Sequence, residues 1–145
     1  MGRIVRPVAS LDELAEVFDI IGAHLPQHLT HQDRRFADLV ARFPEDRSLM
    51  LVVEDRGRLV GGALAFRRDP RGVTLRIIGL DPSVRGTGLG HRLVEQIEEE
   101  AAHLGVAMIS LGADEAVGFY AHLGYAEAGG AWHKRLGPPP TDAGK

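Results

Sequence analysis

The sequence predicts a mixed α/β fold of the α+β kind: one central sheet with both antiparallel and parallel strand pairs, about four helices, and the order β-α-α-β-β-β-α-β-α-β-β. Three observations predict it. Apolar runs at residues 49–54, 59–68 and 73–80 are separated only by turn residues, as in an antiparallel meander. The third run passes through a glycine-rich loop into a helical pattern at 89–104 and then into another apolar run, a crossover that sets two strands parallel. The 145 residues, 44% hydrophobic and 26% charged, suit one domain, read as 1–137 with a flexible tail at 138–145.

Residues 3–8 alternate as a first strand should. Ser10 and Glu13 have the spacing of a capping box, and Leu11, Leu14, Phe18 and Ile21 follow at helical intervals, so a first helix runs to about Gly22. Residues 24–33 are polar and interrupted by Pro26, which reads as a loop. A second helix begins near Asp33 with Phe36, Leu39, Val40 and Phe43 inward, and Pro44 is expected to stop it. Asp55-Arg56-Gly57-Arg58 and Asp69-Pro70-Arg71-Gly72 are the turns of the meander. Leu89, Leu93, Ile97, Ala101 and Leu104 form one helical stripe, followed by a strand at 106–111, a helix at 113–123 capped by Gly124, and a last hairpin from 125–127 and 131–136.

Composition narrows the function. A net charge of −3 argues against a general nucleic-acid binder, and the absence of cysteine excludes a disulfide framework, a thiolate metal site and a cysteine nucleophile. The first ten residues lack a signal-peptide core, and no apolar run approaches the ~20 residues that span a bilayer, so a cytoplasmic protein without a membrane partner is expected. His24, His28 and His31 crowd one loop, yet Pro26 breaks their spacing and no acidic or cysteine ligand accompanies them, so no metal is predicted.

The loop Arg85-Gly86-Thr87-Gly88-Leu89-Gly90 carries the most information. A strand before it and a helix after it put free backbone N–H groups at a helix N-terminus, where the macrodipole adds positive charge, and glycine lets the backbone approach a ligand closely. That is an anion site, most often for phosphate. Walker A would need a lysine where His91 stands, and the glycine spacing does not fit a dinucleotide fingerprint.

Pro82-Ser83-Val84-Arg85-Gly86-Thr87-Gly88-Leu89-Gly90 is similar to the acetyl-CoA signature of the GCN5-related N-acetyltransferases, (Q/R)-x-x-G-x-(G/A). A second segment, Ala116 to Tyr125, resembles that family's A-x-x-F-Y-x-x-x-G-(F/Y) motif and follows in the right order. The resemblance covers about residues 51–136. It implies that family's acyl-CoA N-acyltransferase fold, acetyl-CoA as co-substrate, and transfer of acetyl to a primary amine of a small molecule, amino acid or peptide, by a monomer or homodimer. The alternative is an acetyl-CoA-binding regulatory module without turnover.

The resemblance also implies residue roles. Main-chain groups from Arg85 through Gly86, Thr87, Gly88, Leu89 and Gly90 to His91 would surround the pyrophosphate, and Ile78, Gly79 and Leu80 would pair with the pantetheine arm as a strand does. A backbone N–H near Leu80 would face the thioester oxygen, Phe119 would border the cofactor, and the Tyr120 phenol would protonate the departing thiolate. Two positions depart from the family: Ala113 stands for a cofactor-contacting Asn, and Met108 for a Glu base. The base is left open among Glu54, His24, His28, His31, Asp114 or a water chain. The loop at 24–33 is expected beside the acceptor, one of its histidines being a candidate proton acceptor. Arg67, Arg68, Arg71 and Arg76 suit a 3′-phosphate, an acidic acceptor or plain surface charge, and in Trp132-His133-Lys134-Arg135 the Trp faces inward while His133 or the strand edge borders the acceptor pocket.

Overall fold

The computed structural model describes residues 2–23, 30, 32, 34–69, 72–112, 121–129 and 131–136. Seven strands form one sheet: β1 (Arg3–Pro7), β2 (Met50–Asp55), β3 (Arg58–Asp69), β4 (Gly72–Leu80), β5 (Met108–Gly112), β6 (Ala126–Ala128) and β7 (Ala131–Arg135). Their spatial order is β1-β2-β3-β4-β5-β7-β6, with β4 and β5 the parallel pair and every other neighbour antiparallel. Three α-helices are described: α1 (Leu11–Ala23), α2 (Arg34–Asp46) and α3 (Leu89–His103). The predicted fourth helix lies mostly outside the described residues, of which Ala121 and His122 are helical. The predicted tail at 138–145 also lies outside them. No helix among the described residues is long and apolar enough to cross a membrane.

Local chemistry accounts for the element boundaries. Ser10 Oγ accepts the Glu13 N–H at 3.1 Å, and Glu13 reaches back to the Ala9 N–H at 2.8 Å, so the predicted capping box closes with its carboxylate one residue further upstream. The turn between β2 and β3 has positive φ at Arg56 and Gly57 (57° and 82°), the pairing that matches the twist of a two-residue hairpin. The second helix departs from expectation: Pro44 lies inside α2, which runs on to Asp46. Pro44 falls in the last turn, where it removes a single hydrogen bond, and the buried Asp46 side chain binds β3 through the Arg67 main-chain N–H at 3.0 Å and Nε at 2.7 Å.

The sheet has a core on each face. Leu93, Val94, Ile97 and Ala101 of α3 pack on Leu51, Val53, Ala63, Val73, Leu75, Ile109 and Leu111. Leu14, Val17, Phe18 and Ile21 of α1, with Leu39 of α2, pack on Met50, Val52, Leu64, Phe66 and Ile77. Full burial of such aliphatic side chains is worth ~1.5–3 kcal/mol each, which holds both layers on the sheet.

An irregularity in β4 decides which of its side chains reach which core. Leu64 pairs with Ile77 but Ala65 pairs with Leu75, so Arg76 is an extra, bulged residue in β4. Below the bulge Val73 and Leu75 face α3; above it Ile78 and Leu80 do. The bulge shifts the alternation by one residue, which explains why the two isoleucines of the run Leu75-Arg76-Ile77-Ile78 serve opposite cores.

Candidate active site

β4 and β5 stay together for only four pairs, from Gly72 with Met108 to Leu75 with Leu111. Above that point β4 keeps β3 as its neighbour, through pairs from Leu64 with Ile77 to Gly61 with Leu80, but β5 offers it no further partner. A cleft therefore opens between two strands of one sheet, with its vertex at Leu75 and Leu111. The Asp81 N–H points to β3, donating to Val60 O at 2.7 Å. Successive residues of a strand alternate their polar groups, so the main chains of Leu80 and Ile78 face the open cleft while Gly79 faces β3. Gly79 has a packing role too: a Cβ there would stand 2.9 Å from Ile21 Cγ2, so α1 seats directly on the strand. Ile78 and Leu80 send their side chains to the core under α3.

The predicted anion loop crowns this edge. Gly86 and Gly88 have φ of 76° and 85°, left-handed values that a residue with a Cβ adopts at a cost, although nothing lies within 4 Å of the added atom. Glycine is needed here for conformation. Gly88 is the N-cap of α3; no side chain caps the helix and no acidic residue lies in its first turn. No carbonyl of a described residue accepts the N–H of Gly86, Thr87, Gly88, Leu89 or Gly90. These donors converge with the positive end of the dipole. The side chains support the loop from below: Thr87 Oγ1 donates to Val84 O at 2.6 Å, Arg85 Nε donates to Leu80 O at 2.9 Å, and Leu89 is buried against the core. His91 is half-buried in the first turn, 5.7 Å between ring centroids from His122.

Several predicted residues stand apart from this cleft or outside the described residues. Phe119, Tyr120, His24, His28, His31, Asp114 and Arg71 are in the second group. Glu54 is spent on Arg6, whose Nη2 is 2.7 Å from it while also binding Glu13. That guanidinium holds the Glu13 carboxyl below its ordinary pKa by hydrogen bonding, against a smaller effect of burial. Arg67 and Arg76 are held by Asp46 and Asp38, at 2.7 and 2.8 Å. Among the described residues, no three His, Cys, Asp or Glu side chains are placed to hold a metal ion.

Sequence reasoning did not single out Thr74 and Ser110, which lie beneath the vertex. Thr74 of β4 and Ser110 of β5 are cross-strand partners one step before Leu75 and Leu111, and both face away from α3. His133 of β7 lies opposite Ser110, its Nδ1 2.9 Å from Ser110 Oγ and its Nε2 3.1 Å from Ala128 O. A carbonyl only accepts, so the neutral ring keeps its proton on Nε2, and Nδ1 accepts from the Ser110 hydroxyl. The available signal was a lone hydroxyl between buried apolar neighbours, in Val73-Thr74-Leu75 and again in Ile109-Ser110-Leu111.

The sheet parts at its parallel pair, and above the gap stands a helix start with no side-chain cap and with N–H groups that no carbonyl of a described residue accepts. A model of the acetyltransferase (GNAT) family matches residues 13–125, and the chain belongs to that family. An uncharacterized N-acetyltransferase of Mycobacterium tuberculosis is 33% identical over 95 residues, 63% of this chain and 59% of that protein. The peptidyl-lysine N-acetyltransferase YjaB of Escherichia coli is 32% identical over 102 residues, 70% of this chain and 65% of its own. The matches thus span 59% to 65% of the length of these relatives. The structure of Ard1 from Thermoplasma volcanium superposes with a TM-score of 0.79 at 17% identity, over 94% of this chain and 99% of that one. That of yncA from Salmonella typhimurium, with its cofactor acetyl-CoA, gives 0.69 at 19% identity, over 94% and 95%. At these identities the superpositions establish the fold.

Proposed function

We propose that the chain is an acetyl-CoA-dependent N-acetyltransferase that moves the acetyl group to a primary amine by direct attack. One observation carries this reading: the open edge of β4, with the main chain of Ile78 and the N–H of Leu80 facing the cleft, runs up to the glycine loop at the N-terminus of α3, where no side chain caps the helix. Acyl-pantetheine is a string of amides attached to a pyrophosphate, and it matches that edge as an added strand would, with the pyrophosphate on the N–H groups of Gly86 to His91. The yncA structure contains acetyl-CoA and YjaB is named as an acetyltransferase of peptidyl lysine, so donor and acceptor of these kinds occur on this fold.

In this reading the Leu80 N–H polarises the thioester carbonyl, an interaction whose loss costs ~2.7–4 kcal/mol in a comparable acyl-transfer site. The acceptor nitrogen bonds to the carbonyl carbon as the carbon–sulfur bond breaks. Tyr120, with a phenol pKa normally near 10, protonates the departing thiolate. The proton lost by the acceptor leaves through a water chain, since Met108 stands where the family pattern has a Glu base. Phe119 flanks the donor.

The test is turnover. Purified chain is mixed with acetyl-CoA and a panel of amines, amino acids and peptides, and products are read by mass spectrometry beside thiol release. An acetylated product formed only with the chain present supports the proposal. Calorimetric acetyl-CoA binding without product from any acceptor would identify a binding module and overturn it.

A further inference from the structure

We infer that the chain carries a second ligand site, separate from the acetyl-CoA cleft, in which Arg68 and Arg135 hold the phosphate group of a small molecule or phosphate itself. A pocket of about 310 Å³ is lined by Arg68, Thr74, Met108, Ser110 and Arg135, with Gly72, Val73 and Ala107 completing the wall. It lies over the closed part of the sheet, where Gly72 pairs with Met108 and Thr74 with Ser110. Main chain is committed to the ladder there, so the pocket offers side chains. Six residues of strand, about 20 Å, separate Thr74 from Leu80, and Thr74 and Ser110 lie on the face opposite α3. The pocket is therefore remote from the glycine loop. Arg68 enters it from β3 and Arg135, the cross-strand partner of Met108, from β7, so the two guanidinium groups flank the β4–β5 pair from opposite sides.

Charge and hydrogen-bonding capacity define the ligand. Among the described residues no carboxylate lines the pocket or pairs with Arg68 or Arg135, whereas Arg6, Arg67, Arg76 and Lys134 are each matched by an acidic side chain. Two unopposed cations at one concavity stand out in a chain of net charge −3. Arg68 Nη1 donates to Thr74 Oγ1 at 3.3 Å, so that oxygen accepts, and the Thr74 O–H has no acceptor among the described residues although the residue is only 8% exposed. The Ser110 hydroxyl is already given to His133 Nδ1. The open capacity is thus two guanidinium forks and one hydroxyl, nearly all donors. A carboxylate brings one charge and two oxygens, while a phosphate monoester brings close to two charges and three terminal oxygens, which matches two arginines. About 310 Å³ is at the small end of ligand sites and suits a molecule of metabolite size.

The experiment titrates the purified chain with glycerol 3-phosphate, inorganic phosphate, succinate and glycerol at constant ionic strength, read by calorimetry and by amide NMR shifts. Saturable binding of a phosphate ligand is expected, with shifts centred on Thr74 and Ser110. Each of Arg68→Gln and Arg135→Gln should weaken it about tenfold, and the double variant should abolish it. Melting temperatures establish that the variants fold. Gly88→Asp, which alters the glycine loop, should leave this binding intact. Tighter binding of glycerol 3-phosphate than of inorganic phosphate assigns the site to an ester, and the reverse order assigns it to free phosphate; either supports the inference. Succinate bound more tightly than both phosphates, affinity unchanged in the double variant, shifts centred on Gly86 and Gly88, or no saturable binding would each overturn it. None of these results bears on acetyl transfer.

Discussion

The two halves of β4 make unlike use of one strand. The lower half, Gly72 to Leu75, is held on both sides, by β3 and by β5, so its main chain is satisfied and it presents side chains alone. Among the described strands the upper half, Ile77 to Leu80, has β3 alone; its side chains serve the two cores, and its other edge is backbone. Recognition above the bulge therefore depends on chain path and tolerates many side chains. Recognition below it depends on which side chains stand there. A backbone edge of this kind can be shared widely in a family, while the side chains of the lower half can set each member apart.

The sharpest break spares both halves and removes the chemistry between them. Tyr120→Phe is expected to lower turnover by ~10²–10⁴, the usual loss of a positioned acid, with acetyl-CoA affinity by calorimetry and melting temperature nearly unchanged. Gly88→Asp attacks the upper half through backbone alone. It forces a side chain into a left-handed conformation at ~1–3 kcal/mol and adds negative charge at the helix start, so acetyl-CoA affinity should fall about 10–100-fold while amine preference, measured at saturating donor, stays the same.

Gly79→Ala sharpens the contrast from beneath. Its Cβ would lie 2.9 Å from Ile21 Cγ2, and relief of that overlap should lower stability by ~1–3 kcal/mol, seen as a lower denaturant midpoint. The smallest effect lies far from the cleft, at Arg6 and Glu13. With its folded pKa depressed, Glu13 contributes full stability above its ordinary pKa of about 4.3 and loses it as pH falls through the lowered value. Arg6→Gln should therefore raise the midpoint of acid unfolding, followed by circular dichroism, and cost about 1 kcal/mol at pH 7.

What the sequence determined by itself was local. The capping box at Ser10 and Glu13, the hairpin turn at Gly57, the strand–loop–helix unit around Gly86 and Gly88, and the apolar stripe of α3 each depend on residues within a few positions of one another, where propensity and periodicity act directly. The parallel setting of β4 and β5 followed from the crossover between them. Tertiary structure decided the rest, because those outcomes join residues far apart in the chain. Asp46 and Arg67 carried α2 past Pro44, a long-range bond outweighing a local stop signal. The insertion of β7 between β5 and β6 set His133 beside Ser110 and brought Arg135 to the pocket that Arg68 and Thr74 line. The bulge at Arg76 reversed the facing of every side chain above it, and no pattern of apolar residues marks where a register slips by one. Main-chain donors at a helix start can be read from the few residues that bend the chain there; a group of side chains drawn from three strands waits on the order and register of the sheet.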